Sequence, residues 1–132
     1  MVEPSGVSGT PRILLRAEGA AILALSLLVY AKLGPSWLPF VVLFLAPDLS
    51  FLGYLVGART GAVAYNTVHT LIGPLALIAA GFMLPAVDLF SLALIWTAHI
   101  GVDRMLGFGL KYGAGFRYTH LGQIGRASAD KL

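Results

Sequence analysis

Four apolar runs of bilayer-spanning length, separated by breaks of only a few residues, constrain this chain more than any other feature. They are Ile13 to Leu33, Trp37 to Val56, Ala62 to Leu84 and Val87 to Leu106. About 20 apolar residues let an α-helix cross a hydrocarbon core, and a helix satisfies its own backbone hydrogen bonds where no water can do so. Composition points the same way. Of 132 residues, 58% are hydrophobic and 11% charged, against about 25% charged in an ordinary soluble domain.

The breaks carry turn chemistry: Lys32-Leu33-Gly34-Pro35-Ser36, Gly57-Ala58-Arg59-Thr60-Gly61, and Pro85 with Asp88 nearby. Connections this short make consecutive helices antiparallel neighbours. The expected fold is therefore all-α, an integral membrane four-helix up-and-down bundle over residues 11–106. Residues 1–10, rich in Gly, Ser and Pro, read as a flexible tail. Residues 107–125 hold six glycines among aromatics and read as a folded cap, with 126–132 a second tail.

Basic residues set the orientation, because short loops rich in Lys and Arg stay on the cytoplasmic side. Arg12 and Arg16 precede the first run, Arg59 follows the second, and Lys111, Arg117, Arg126 and Lys131 follow the fourth, whereas the opposite side has Lys32 offset by Asp88. Both termini and the cap are thus expected to be cytoplasmic, with Trp37 as an outer interfacial anchor and Tyr112 and Tyr118 at the inner interface. Glu18 interrupts the first run and no small-x-small cleavage site follows, so that run reads as a retained helix rather than a signal peptide. The net charge of +3 is spread along the chain, which leaves no dense basic stripe for nucleic acid. The absence of cysteine removes disulfides, thiolate nucleophiles, Cys-ligated zinc and iron–sulfur clusters.

Ionisable residues inside the spans carry the chemical information. Each Asp, Lys or Arg near mid-bilayer costs about 2.5 to 3.5 kcal/mol on insertion scales, so such groups face one another or water. Asp48 is eleven residues from both Trp37 and Arg59, near the midplane. At about 1.5 Å rise per residue, His69 lies about 14 Å in from Thr60, His99 about 18 Å in from Val87, and Glu18 about 10 Å in from Pro11. Asp103 is one turn beyond His99, on the same helix face, and Tyr65 and His69 share that i,i+4 spacing. Pro47, just before Asp48, removes a backbone hydrogen bond and can kink its helix. Gly73-Pro74 marks a kink or a close packing point in the third run.

Asp48, His69, His99 and Asp103 are therefore candidate ligands for one divalent ion. Two imidazoles and two carboxylates suit Zn, Mn or Fe(II). Glu18, Tyr65, Asn66 and Thr70 are available as hydrogen-bond acceptors behind them. His120 is a further candidate ligand if the Thr119-His120 pair folds back. The alternative is a purely hydrogen-bonded network, with His99 paired to Asp103 and Asp48 capping a broken helix or paired to Arg104 or Arg16. No organic cofactor is implied.

LAPDLSFLGYLVG at 45–57, YNTVHT at 65–70, WTAHIGVDRMLGFGLKY at 96–112 and GFRYTHLG at 115–122 resemble a family of small four-helix bacterial membrane proteins catalogued as a domain of unknown function. The resemblance covers roughly residues 12–125 and implies a multi-pass protein of the bacterial inner (cytoplasmic) membrane. Pro47-Asp48, His69-Thr70 and His99-x-x-x-Asp103 also resemble, in order, the ligand motifs of membrane-bound metal-dependent hydrolases. That likeness implies Asp48, His69, His99 and Asp103 as ligands. Ser50 stands where those hydrolases carry a second acidic residue, and His69 is alone where they have more histidine.

Three functions fit these residues. The first is a metal-dependent hydrolase acting on a lipid or amphipathic substrate, with Glu18 or Asp103 as general base and Arg104 or Lys111 holding an anionic headgroup. The second is a transporter, channel or proton-handling subunit, which would assemble as a homo-oligomer through Gly53, Gly57, Gly61 and Gly73. The third is a non-enzymatic scaffold. All three place the chain in a lipid bilayer, and none involves nucleic acid. Topology is directly testable: cysteines introduced at Ser5 and Ser128 should label only from the cytoplasmic side, and one at Ser36 only from outside. Labelling of Ser36 and Ser128 from one side contradicts four spans.

Overall fold

The computed structural model describes residues 6–33, 36–113 and 115–124. Ser5, Ser128 and the tail expected over 126–132 lie outside them. The chain is an all-α bundle with four helical segments long and apolar enough to cross a membrane: Gly9–Leu33, Trp37–Leu55, Ala58–Met83 and Asp88–Leu106. Two of them are broken. The first is one helix, α1 (Gly9–Leu33), and the fourth is one helix, α5 (Val87–Leu106). The second consists of α2 (Trp37–Leu43) followed by a 3-10 helix (Ala46–Leu55), and the third of α3 (Ala58–His69) followed by α4 (Ile72–Met83).

Proline places both breaks. A proline has no N–H for the carbonyl four residues behind it, and its ring collides with that carbonyl. Four residues before Pro47 is Leu43, the last residue of α2; four before Pro74 is Thr70, which is extended with φ −84° and ψ 148°. The kink expected at Pro47 is thus a change of helix type, with Asp48 N–H donating to the Leu45 carbonyl at 3.0 Å. Gly73 is also a packing point, because a Cβ there would fall 2.4 Å from the Trp96 ring.

Helix α5 stands at the centre, against α1 on one side and α4 on another, while the 3-10 helix packs on α3. Burial follows this arrangement. On α1 only Arg12, Gly19, Ser26 and Tyr30 are buried, a stripe at spacings of seven and four, and Leu14, Leu25 and Leu28 are exposed. An apolar surface left outside is what a lipid-facing helix requires. On α5, by contrast, Ala93, Ile95, Ala98, His99, Ile100 and Gly101 are all buried. Glycine lets α1 and α5 meet: a Cβ on Gly101 would lie 2.8 Å from the Leu23 nitrogen, and one on Gly19 2.5 Å from the Arg104 Cβ. Small residues serve membrane helix interfaces in this way. Gly53, Gly61 and Gly73, read from sequence as an oligomer surface, are used within the chain against Ala64, Tyr54 and Trp96.

After α5 the chain turns at Gly107, in the left-handed region with φ 91°, and folds back as a cap. Its hairpin pairs β1 (Tyr118–Thr119) with β2 (Gly122–Gln123), and Lys111 bridges to Thr119. Asn66 of α3 holds the cap by both ends of its amide, donating to the Lys111 carbonyl at 2.7 Å and accepting the Lys111 N–H at 2.6 Å. Arg12 Nε donates to the Leu121 carbonyl. In the segment read as a flexible tail, Val7 N–H donates to the His120 carbonyl at 2.6 Å and α1 already begins at Gly9. Leu121 is fully buried, while Phe116 is 43% exposed.

Gly101→Val should lower stability in detergent by about 1 to 3 kcal/mol, the usual cost of overpacking. Thermal unfolding against the parent chain measures it, and an unchanged midpoint contradicts the close approach of α1 and α5.

Candidate metal centre

The two breaks and α5 deliver four side chains to one point. Asp48 comes from the first turn of the 3-10 helix, His69 from the last residue of α3, and His99 and Asp103 from successive turns of α5. His69 Nε2 lies 3.1 Å from His99 Nε2, 3.3 Å from Asp48 Oδ1 and 3.5 Å from Asp103 Oδ2. His99 Nε2 lies 3.1 Å from Asp48 Oδ1 and 3.2 Å from Asp103 Oδ2. All four ligand atoms fall within 4.8 Å of one another. Five of the six separations are 3.1 to 3.5 Å, edges that in a regular tetrahedron would put the centre about 1.9 to 2.1 Å from each vertex, the length of a zinc–imidazole or zinc–carboxylate bond, and the sixth, Asp48 to Asp103, is no longer than 4.8 Å.

Protonation sharpens the geometry. His69 Nδ1 is 2.9 Å from the Tyr65 backbone carbonyl, an oxygen that only accepts, so Nδ1 carries the proton and neutral His69 turns a bare Nε2 lone pair inward. His99 Nδ1 is buried and turned toward the Phe44 carbonyl, short of hydrogen-bond geometry. Both histidine side chains are 3% exposed, against 17% for Asp103 and 34% for Asp48. Among the described residues, three acceptors, His69 Nε2 and the two carboxylates, thus face one another around His99 Nε2, which carries a proton in one tautomer and a lone pair in the other, so a cation or protons must lie between them.

Aromatic rings enclose the cluster. Tyr65 lies parallel to His69 with centroids 3.7 Å apart, Phe51 stacks on Tyr65 at 5.3 Å, and Phe44 sets its edge to His99 at 5.4 Å. The carbonyls freed where α3 ends are taken by α5: Trp96 Nε1 donates to Val68 at 2.6 Å and Arg104 Nη2 to His69 at 3.1 Å. The other sequence candidates stand apart. Arg16 donates to the Met105 carbonyl and Arg104 to the His69 carbonyl rather than to Asp48, whereas two other parts of the network alternative are met, His99 lying 3.2 Å from Asp103 and Asp48 standing in the first turn of the 3-10 helix after the break. His120 does not reach the cluster, since its Nδ1 accepts from Leu110 N–H at 2.8 Å and Arg104 Nη1 sits 2.8 Å from its Nε2. Glu18 is exposed on α1 and lines a separate cleft with Thr70, Arg104 and His120.

On its more exposed side the cluster borders a chamber of about 290 Å³ lined by Asp48, Asp103, Phe51, Tyr65, Lys111 and the cap. The sequence offers Lys111 as an interfacial basic residue that could hold an anionic headgroup, and not as a buried one. Here it is 4% exposed, its Nζ donating to the Phe116 carbonyl at 2.9 Å and lying 3.8 Å from the centre of the Phe116 ring. Burial pushes its ammonium down to about 8, opposed by Asp103 and Asp48. The signal that could have found it is Asn66, a hydrogen-bonding side chain three residues before His69.

A family model described as a domain of unknown function, DUF4260, matches residues 12–124. The chain belongs to the DUF4260 family. No curated protein and no solved structure matches it. The DUF4260 match takes in all four cluster residues together with the cap.

Burial and the adjacent Arg104 guanidinium push His120 below its ordinary value. The unfolded chain therefore takes up this proton first as pH falls, and stability present above about 6.5 is lost on the way down to the folded value. Wild type should lose more thermal stability than His120→Asn between about pH 7.5 and about pH 5.5. Equal losses contradict a buried, neutral His120.

Proposed function

We propose that the chain is a membrane-embedded hydrolase with a single divalent metal ion, Zn, Mn or Fe(II), acting on a lipid or amphipathic substrate at the cytoplasmic interface. The observation that supports this reading is the convergence of two imidazoles and two carboxylates, all within 4.8 Å of one another, with the carboxylate side bordering a chamber. A purely hydrogen-bonded network would have to rest on a proton at His99 Nε2, because the backbone bond of His69 directs its proton outward. An ion bound there would polarise a carbonyl or phosphoryl oxygen and lower the pKa of a water.

The residues divide the work. His69, His99 and Asp103 are the less exposed ligands and form a three-ligand set of the type that leaves one position open in catalytic sites. Asp48 is the most exposed and starts a 3-10 helix, so it is the ligand suited to exchange with water and act as general base. Arg104 acts through the His69 carbonyl and is a positioning residue. Glu18, across Arg104 in another cleft, has no part in the step.

Elemental analysis of protein purified in mild detergent should find one metal ion per chain. His99→Ala should lose it while still inserting, because ligand loss removes affinity but leaves the apolar spans intact. Asp48→Asn should keep metal and lose about 10²- to 10⁴-fold in hydrolysis of p-nitrophenyl octanoate, the range of a general base. A metal-free wild type overturns the reading, and His69-dependent proton flux in vesicles would replace it with a proton-handling one.

A further inference from the structure

The chamber between the cluster and the cap has its own charge pattern. Its walls are Phe51, Tyr65, Phe108, Phe116 and Ile124, and its charged groups are Asp48, Asp103 and Lys111. Once a divalent ion is bound, the two carboxylates cancel it, which leaves the Lys111 ammonium as the uncompensated charge. That ammonium is nearly buried at the chamber wall, with one carbonyl acceptor among the described residues and three rings around it at 3.8, 4.7 and 6.0 Å. A buried ammonium has three N–H donors, and one carbonyl with ring faces under-serves them. Phe108 and Phe116 are 37% and 43% exposed, so the apolar wall continues to the surface of the cap.

We infer that this chamber binds a monoanionic amphiphile, a short- or medium-chain carboxylate whose head lies between Lys111 Nζ and the metal-binding carboxylates and whose chain runs along Phe51, Phe108 and Phe116. The inference rests on the metal reading and deepens it, because a carboxylate is the acid product released when an acyl ester is hydrolysed. The substrate class is then an acyl ester with a small acyl group. The size of the chamber, at the low end for small-ligand sites, excludes a whole phospholipid, and a phosphate monoester brings one negative charge more than Lys111 balances.

The test uses full-length protein in zwitterionic nanodiscs, with empty nanodiscs as blank and metal measured on every sample. Octanoate labelled with ¹³C at the carboxyl should bind metal-loaded wild type, and octyltrimethylammonium and octanol should not compete. Octyl phosphate should compete more weakly than unlabelled octanoate. Lys111→Met should weaken octanoate binding about tenfold or more, the scale of a lost charge-assisted hydrogen bond, with metal content unchanged. Chelation should abolish binding, since the chamber then carries a net negative charge. Metal retained with no octanoate binding, or with equal binding by Lys111→Met, overturns this inference and leaves the metal reading standing. Metal absent from wild type overturns both. The competition series needs only wild type, so a poorly folding variant leaves the inference falsifiable.

Discussion

A proline cannot complete the hydrogen-bond ladder of a helix, and in this chain Pro47 and Pro74 interrupt two segments long and apolar enough to cross a membrane. Inside a bilayer a freed carbonyl has no water to turn to, and each unsatisfied group costs several kcal/mol. The bundle meets that demand with side chains from α5: Trp96 and Arg104 reach the carbonyls of Val68 and His69 where α3 ends. The same breaks place Asp48 one residue after Pro47 and His69 one residue before Thr70. Breaking the helices and assembling the polar centre are therefore one structural event, anchored on α5, which has the largest buried share of the four spans among the described residues.

That placement explains why the centre is small, with both histidines buried and the carboxylates on its open side. His99 and Asp103 need no break, because i,i+4 spacing already puts them on one face of α5. The other two ligands come from helix ends, where the backbone changes direction and the side chain can approach closely. Tyr65 fixes the proton of His69 through its carbonyl and covers the ring with its own. A low-dielectric shell strengthens every electrostatic interaction inside it and makes an unpaired charge expensive. Two carboxylates brought together in such a shell need a cation or shared protons among them to offset their repulsion.

Much of this was legible in the sequence, for identifiable reasons. The spans were legible because hydropathy at bilayer length has few other meanings, and Asp48, His69, His99 and Asp103 stood out because ionisable groups at that depth must find one another. The helix breaks were only half legible: Pro47 and Pro74 flagged a disturbance, but whether a proline bends a helix or ends it depends on which side chains wait for the freed carbonyls. The burial of Lys111 was illegible because it depends on the chain reversing at Gly107, a tertiary event. His120 was misread for a related reason, since folding back brings it to Arg104 and the Leu110 N–H rather than to the ligands. Gly53, Gly61 and Gly73 signalled close packing correctly, but sequence cannot say whether the partner is another copy or the same chain.

The cap and the centre are linked through three residues of α3. Tyr65, Asn66 and His69 lie within one turn; Asn66 clamps the Lys111 backbone, Tyr65 lies under the Lys111 ammonium, and His69 enters the cluster. Positions three and four apart share a helix face, so a shift of α3 that moved His69 would also move the clamp that closes the chamber. The Arg104 guanidinium makes the same connection from the other side, touching the His69 carbonyl with one nitrogen and the cap's His120 with another. Ligand geometry and cap closure are thus set by the same two elements, α3 and α5. A change at the four cluster residues is transmitted to the chamber mouth through helices α3 and α5 rather than through a loop.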